Sequence, residues 1–232
     1  MLVEKCRVCQ QALPQSPLFV YENMPASAQS LPTKEQLEQD KAINLAIFQC
    51  EGCGLIQHNS EPVSYYKDVI RATAVSTEMT EYRKGQFQQW LSAYRLEGKK
   101  VLEVGCGRGE FLEIMQQYNV DIYGLEHGKE GVLSCVDRGL RVECGFMDAG
   151  LRHKNGPFDA FYILNFLEHL PDINENLRTI AENLTDNAVG LIEVPNFDMM
   201  LRENLFSEII RDHIYYFTEK SFRNTLEFNG FE

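Results

Sequence analysis

An apolar strand that runs straight into three glycines at alternate positions restricts this chain more than any other feature. The stretch reads Val101-Leu102-Glu103-Val104-Gly105-Cys106-Gly107-Arg108-Gly109-Glu110-Phe111. Glycines let the backbone turn sharply at the carboxyl end of a strand and lie close to a ligand. The helix expected from Glu110 offers unpaired N–H groups at its start. The stretch therefore predicts a strand–turn–helix unit in an open α/β sheet, with a nucleotide-type ligand at the turn.

The spacing narrows the ligand. A dinucleotide site uses G-x-G-x-x-G; here the pattern is G-x-G-x-G, with the acid Glu103 inside the strand before it. A carboxylate at that place repels a pyrophosphate and suits a ligand with a cationic, ammonium-bearing end. Glu103, Gly105, Gly107 and Gly109 together resemble motif I of class I methyltransferases, which implies S-adenosylmethionine as cofactor.

The chain after this turn alternates strands and helices, as a parallel sheet with right-handed crossovers requires. A helix is expected over Glu110–Tyr118 and a strand over Asp121–Glu126. Glu126 lies 17 residues beyond Gly109, where an acid can accept from both ribose hydroxyls. A helix over Gly131–Arg138 and a strand over Leu140–Glu143 follow. Asp148 then stands where such folds hold an adenine amino group, or simply in a polar turn. Phe158–Leu164 is an apolar run suited to a central strand. It ends at Asn165, a candidate for the methionine end of the cofactor, and Glu168-His169 could orient that loop. Ile173, Leu177, Ile180, Ala181 and Leu184 mark an amphipathic helix, and Ala188–Val194 a fifth strand.

Residues 1–60 read as a separate zinc-binding domain. Cys6-Arg7-Val8-Cys9 and Cys50-Glu51-Gly52-Cys53 are two C-x-x-C pairs. Four thiolates complete a tetrahedral shell, so a zinc ion here is structural rather than catalytic. A helix is expected near Lys34–Ile43. Residues 61–98 form a helical connector in which Met79, Tyr82, Phe87, Trp90, Leu91 and Tyr94 recur at helical spacing. Residues 99–232 carry the cofactor domain. The fold class is thus α/β, a Rossmann-like sheet with a small N-terminal zinc domain.

Net charge is −12, which argues against nucleic acid or an anionic membrane surface as partner. No run approaches 18 uninterrupted apolar residues, and no signal pattern opens the chain, so a cytoplasmic location is expected. Oligomeric state is not readable from the pattern.

Beyond the fifth strand, Arg211-Asp212-His213-Ile214-Tyr215-Tyr216-Phe217 gathers an acid, an imidazole and two phenols. Histidine is suited to accept a proton near neutral pH, and an adjacent acid can raise its basicity. A satisfied structural histidine is the alternative. Thr218 caps a helix that stops at Asn229-Gly230, and Phe231-Glu232 reads as the start of another strand. The expectation is a C-terminally truncated sheet.

In order, C-x-x-C, C-x-x-C-G-L-I-Q, L-E-V-G-C-G-R-G, L-E-H-L-P-D, E-V-P-N and D-H-I-Y-Y-F-T resemble the zinc-containing sugar C-methyltransferases. Those enzymes act on nucleotide-linked, typically dTDP-linked, keto-deoxysugars. The resemblance covers residues 6 to 230 and implies proton abstraction next to a carbonyl by Asp212 and His213. The family pair is usually Glu-His. The family also uses a tyrosine before the first helix; Tyr66, with Tyr65 beside it, lies near that place, and Val69 or Ile70 is the alternative occupant. Methylation of sugar oxygen or nitrogen, and a noncatalytic cofactor-binding module, are the competing readings.

Overall fold

The computed structural model describes residues 2–29, 32–38, 41–68 and 76–232. In chain order the elements are β1 (Phe19–Met24), β2 (Ile43–Gln49), β3 (Ile56–His58), α1 (Thr77–Ala93), β4 (Lys100–Val104), α2 (Glu110–Met115), β5 (Asp121–Glu126), α3 (Lys129–Asp137), β6 (Val142–Cys144), β7 (Phe158–Leu164), α4 (Ile173–Ala181), β8 (Leu184–Glu193), α5 (Phe197–Glu203), β9 (Tyr215–Tyr216) and α6 (Glu219–Phe228). Two compact units divide the chain. One comprises Met1–Val69, Leu167–Asn174 and Val194–Glu232; the other comprises Ile70–Phe166 and Glu175–Glu193.

The second unit is the Rossmann-like α/β part. Its five strands run in the order β6-β5-β4-β7-β8, all parallel. Strand order reverses between β4 and β7, which makes their carboxyl ends the natural ligand edge. Val101 and Leu102 of β4 and Phe158 to Leu164 of β7 are buried apart from Asp159, the pattern of strands covered on both faces. Val101, Ala160, Tyr162 and Leu164 pack against Phe87, Trp90, Phe111, Leu112 and Met115, and each such large side chain stabilises by roughly 1.5–3 kcal/mol.

β5 and β7 follow the expected bounds; Leu184, expected in the helix before the last strand, instead opens β8, which ends at Glu193, and α1 departs in its detail. Phe87, Trp90 and Leu91 face the core, but Tyr82 and Tyr94 are exposed and Arg83 is buried. A charge inside α1 is kept there by a partner. Arg83 pairs through both terminal nitrogens with the carboxylate of Glu193, at the end of β8. Burial acts against ionising Glu193, but that guanidinium overrides it and holds the carboxyl below its usual range.

The first unit is built on an antiparallel sheet, β1-β2-β3-β9. β9 comes from a segment more than 150 residues along the chain from β3 and pairs Ile56 with Tyr216 and Gln57 with Tyr215. Leu45, Ile47, Ile56, Phe197, Met200, Ile209 and Tyr216 form its core. Among the described residues of the helix expected near Lys34–Ile43, Lys34–Gln36 makes a single 3-10 turn and Ile43 already opens β2. Leu45 and Ile47 alternate with polar or less buried neighbours, and this period-two burial overrides the helical reading. Thr218 caps α6 as expected, accepting from the backbone of Ser221. Phe231 does not begin a strand: its N–H closes back on the carbonyl of Leu226, a helix-terminal turn.

His58 is a buried residue that this sheet satisfies completely. Its Nε2 donates to the carbonyl of Arg211 (3.0 Å), and its Nδ1 accepts from the backbone of Ser60 (3.1 Å). The ring is therefore neutral, and burial pushes its pKa down to about 4. The unfolded chain binds that proton first, so the stabilisation is complete above about pH 6.5 and fades as pH falls toward about 4. The steepest loss is roughly 1.4 kcal/mol per pH unit. Urea midpoints of the chain, read between about pH 7 and about pH 5, will fall on acidification, and less so in His58→Gln; a midpoint that rises contradicts the assignment.

Candidate active site

The glycine turn lies at the carboxyl end of β4. Gly105, Gly107 and Gly109 adopt φ of 70°, 57° and 87°, the left-handed region that side chains avoid. The reasons for glycine differ among them. A Cβ on Gly105 would come within 2.9 Å of Phe166, and one on Gly109 within 2.6 Å of Leu140. A Cβ on Gly107 would meet nothing nearer than 4.0 Å. Room is thus left beside Gly107, and its backbone conformation rather than crowding calls for glycine.

Glu126 ties this turn to the next one. Its Oε2 accepts from the N–H of Gly107 (2.7 Å) and its Oε1 from the N–H of Gly128 (2.6 Å). The acid expected to meet ribose hydroxyls thus stands at the rim of the glycine turn. Glu103 is fully buried, and its carboxylate accepts from the hydroxyl of Tyr162 (2.9 Å). Asn165 ends β7 with φ 50°; its amide donates to Glu193 (2.9 Å). Asp148 is exposed in the turn after β6. The glycine backbone and Glu126 suit the cofactor that the motif implies, while Glu103, expected at its ammonium end, is enclosed and held by Tyr162. Sequence reading passed over Phe146, whose ring packs edge-on against His127 and Phe166; an aromatic in a loop leaves no periodic signal.

The residues expected to handle protons belong to the other unit, and their partnerships differ from the expected ones. Asp212 does not turn its carboxylate on His213. It is buried, takes the Tyr65 hydroxyl on Oδ1 (2.6 Å) and the N–H of Ala28 on Oδ2 (2.8 Å). Burial, with the Asp212 carboxylate adding to it, pushes the Tyr65 phenol up. Tyr65 rather than Tyr66 is brought to the acid; Tyr66 opens a 3-10 turn beneath Lys67. Val69 and Ile70 lie outside the described residues.

His213 stacks edge-on against His169, ring centroids 4.8 Å apart. Burial, then the like charge of His169, push its pKa down to about 3. The expectation of a histidine made more basic by Asp212 is thus reversed. His213 is a neutral imidazole at physiological pH. His169 is itself buried, with its Nδ1 2.8 Å from the carbonyl of Asp212.

The four cysteines converge. Cys6–Cys9 occupies a turn closed by Gln10 N–H on the Cys6 carbonyl, and Cys50–Cys53 the hairpin turn between β2 and β3. Cys6 and Cys53 sulfurs lie 3.5 Å apart, Cys9 and Cys50 3.4 Å apart, and all four within 4.8 Å of one another. Tetrahedral ligands at about 2.3 Å stand roughly 3.8 Å apart, so the set fits zinc with little movement. The Cys6 thiol pushes Cys53 down to about 5, and Cys6 itself is pushed up. A metal ion here would displace the thiol protons that remain. X-ray absorption on the purified chain will show zinc with four sulfurs at about 2.3 Å, lost in Cys50→Ser; nitrogen or oxygen in that shell contradicts the reading.

Comparison with known proteins sets the family. Residues 79–232 match the model of the methyltransferase domain. C-methyltransferase NovU of Streptomyces niveus is 21% identical over 98% of this chain and 56% of its own length. A ubiquinone biosynthesis O-methyltransferase of Aliivibrio fischeri is 34% identical over 39% of this chain and 42% of its own length. The chain thus spans about half the length of these relatives. Among solved structures, the plantazolicin methyltransferase BpumL in complex with SAH shares the fold at TM-score 0.52 and 18% identity, over 72% of this chain and 67% of its own. An S-adenosylmethionine-dependent methyltransferase of Clostridium acetobutylicum does so at 0.51 and 14%, over 71% and 84%. With a match over about two-thirds of its length, the chain belongs to the methyltransferase-domain family.

Proposed function

We propose that this chain transfers a methyl group from S-adenosylmethionine to carbon of a nucleotide-linked or polysaccharide-precursor keto-sugar. In this reading residues 1–60 form the zinc-binding part, 61–98 the helical connector and 99–232 the methyltransferase part. The cofactor, when bound, supplies an electrophilic methyl on a cationic sulfur. Gly105, Gly107 and Gly109 hold it by backbone approach, Glu126 takes the ribose hydroxyls, and Asp148 the adenine amino group. Glu103 and Asn165 serve its methionine end, Glu103 by the field of a buried charge.

One observation carries the acceptor chemistry. Three segments remote in sequence bring Tyr65, His169 and the neighbouring Asp212 and His213 together inside one unit. Such convergence of polar groups costs desolvation that apolar packing would avoid. His213, neutral and half-buried, accepts the proton from the carbon next to the keto group. Tyr65, its hydroxyl fixed by Asp212, donates a hydrogen bond to the oxygen on which enolate charge gathers. The name of NovU, which matches across nearly the whole chain, favours carbon over oxygen as acceptor.

Methyl transfer to a panel of dTDP-linked keto-deoxysugars, read by product mass, tests this. His213→Ala will lose about 10²–10⁴ in rate, and Tyr65→Phe a smaller factor, while Tyr66→Phe stays near the parent. A parent chain that binds cofactor yet methylates no member of the panel, or a His213→Ala chain of full activity, refutes the reading and favours a noncatalytic module.

A further inference from the structure

We infer that Glu168, His169 and His213 bind a divalent transition-metal ion, at a site separate from the four cysteines. One ligand atom from each lies within 4.8 Å of the others. Glu168 Oε1 and His169 Nε2 stand 3.9 Å apart. Ligands at about 2.0–2.1 Å from one ion are roughly 3–3.5 Å apart, so side-chain rotation of about an ångström closes the shell.

The surrounding bonds already orient the donors as metal ligands are oriented. The carbonyl of Asp212 can only accept, so the Nδ1 of His169, 2.8 Å away, carries the hydrogen. The lone pair of the neutral ring is then on Nε2, the nitrogen that faces Glu168. The His213 ring meets that of His169 edge-on, with centroids 4.8 Å apart. A backbone carbonyl behind a ligating imidazole is the usual outer support of such sites. The two segments are stapled together as well: the N–H of Ile214 donates to the carbonyl of Glu168 (2.8 Å).

Chemistry names the ion class. Two imidazoles and one carboxylate suit Zn²⁺, Fe²⁺, Co²⁺ or Ni²⁺ and not Mg²⁺ or Ca²⁺. Glu168 is 1% exposed and His169 3%. Three protein ligands leave coordination open to solvent or to an acceptor oxygen. Binding stands apart from the acceptor reading. A bound ion would take the His213 nitrogen that the acceptor reading gives to the proton, so the two uses exclude one another.

The test is metal stoichiometry on the full chain, with cobalt as spectroscopic probe. Elemental analysis after saturation with Zn²⁺ or Co²⁺ and gel filtration will give two ions per chain. Glu168→Gln and His213→Gln will each retain one, with the thiolate-to-cobalt charge-transfer absorption unchanged. One ion per chain in the parent, or two in both variants, overturns the site. Methyl transfer by the same preparations separates the claims. Two ions without turnover on any acceptor leaves the site standing and removes the proposed function.

Discussion

A single carboxylate ties together the turns after β4 and β5 of the α/β unit. Parallel strands end with N–H groups that the sheet does not use, and here two of them, on Gly107 and Gly128, converge on Glu126. The turns after β4 and β5 are fixed to each other by that side chain. The close approach is possible only because Gly107 and Gly131 lack side chains: a Cβ on Gly131 would lie 2.7 Å from the Gly107 carbonyl. Shape and polarity at the strand ends are thus one feature. The same acid that orders the turns stands where a cofactor with adjacent hydroxyls would be recognised.

The other unit shows a different economy. It is assembled from three separate stretches of chain, and long-range polar contacts hold them: Arg7 to Pro171 and Ser60, Asn224 to Cys53, and Tyr65 to Asp212. The cysteine shell belongs to this unit, as do His58, His169 and His213. Its histidines are kept uncharged by burial. Neutral rings are what both proton acceptance and metal ligation require. Metal at the cysteines would fix the β2–β3 hairpin on which β9, and through it the 212–217 segment, is paired.

The parts of the fold that local pattern controls were readable from the chain. β5, β7 and α6 fall where apolar runs and capping residues placed them, because their burial follows periodicity and their ends follow Thr and Gly chemistry. The parts that tertiary contact controls were not. Arg83 belongs to the core of the unit only because Glu193 meets it. The pairing of β9 with β3 joins residues far apart in sequence, and two residues carry no periodicity. Within the candidate site, Glu126 and the glycines were evident from spacing. Adjacency misled at Asp212-His213: neighbours along a chain need not share a hydrogen bond, and Asp212 spends its carboxylate on Tyr65. His169, the ring that does meet His213, was noted only as a loop residue.

The account rests on the glycine turn as a site for a sulfonium-bearing nucleoside. Titration calorimetry of the chain with S-adenosylhomocysteine reads that directly. The account predicts saturable binding in the micromolar range, on the order of −8 kcal/mol, with no competition from NAD. Absence of heat with S-adenosylhomocysteine alongside binding of NAD would contradict it.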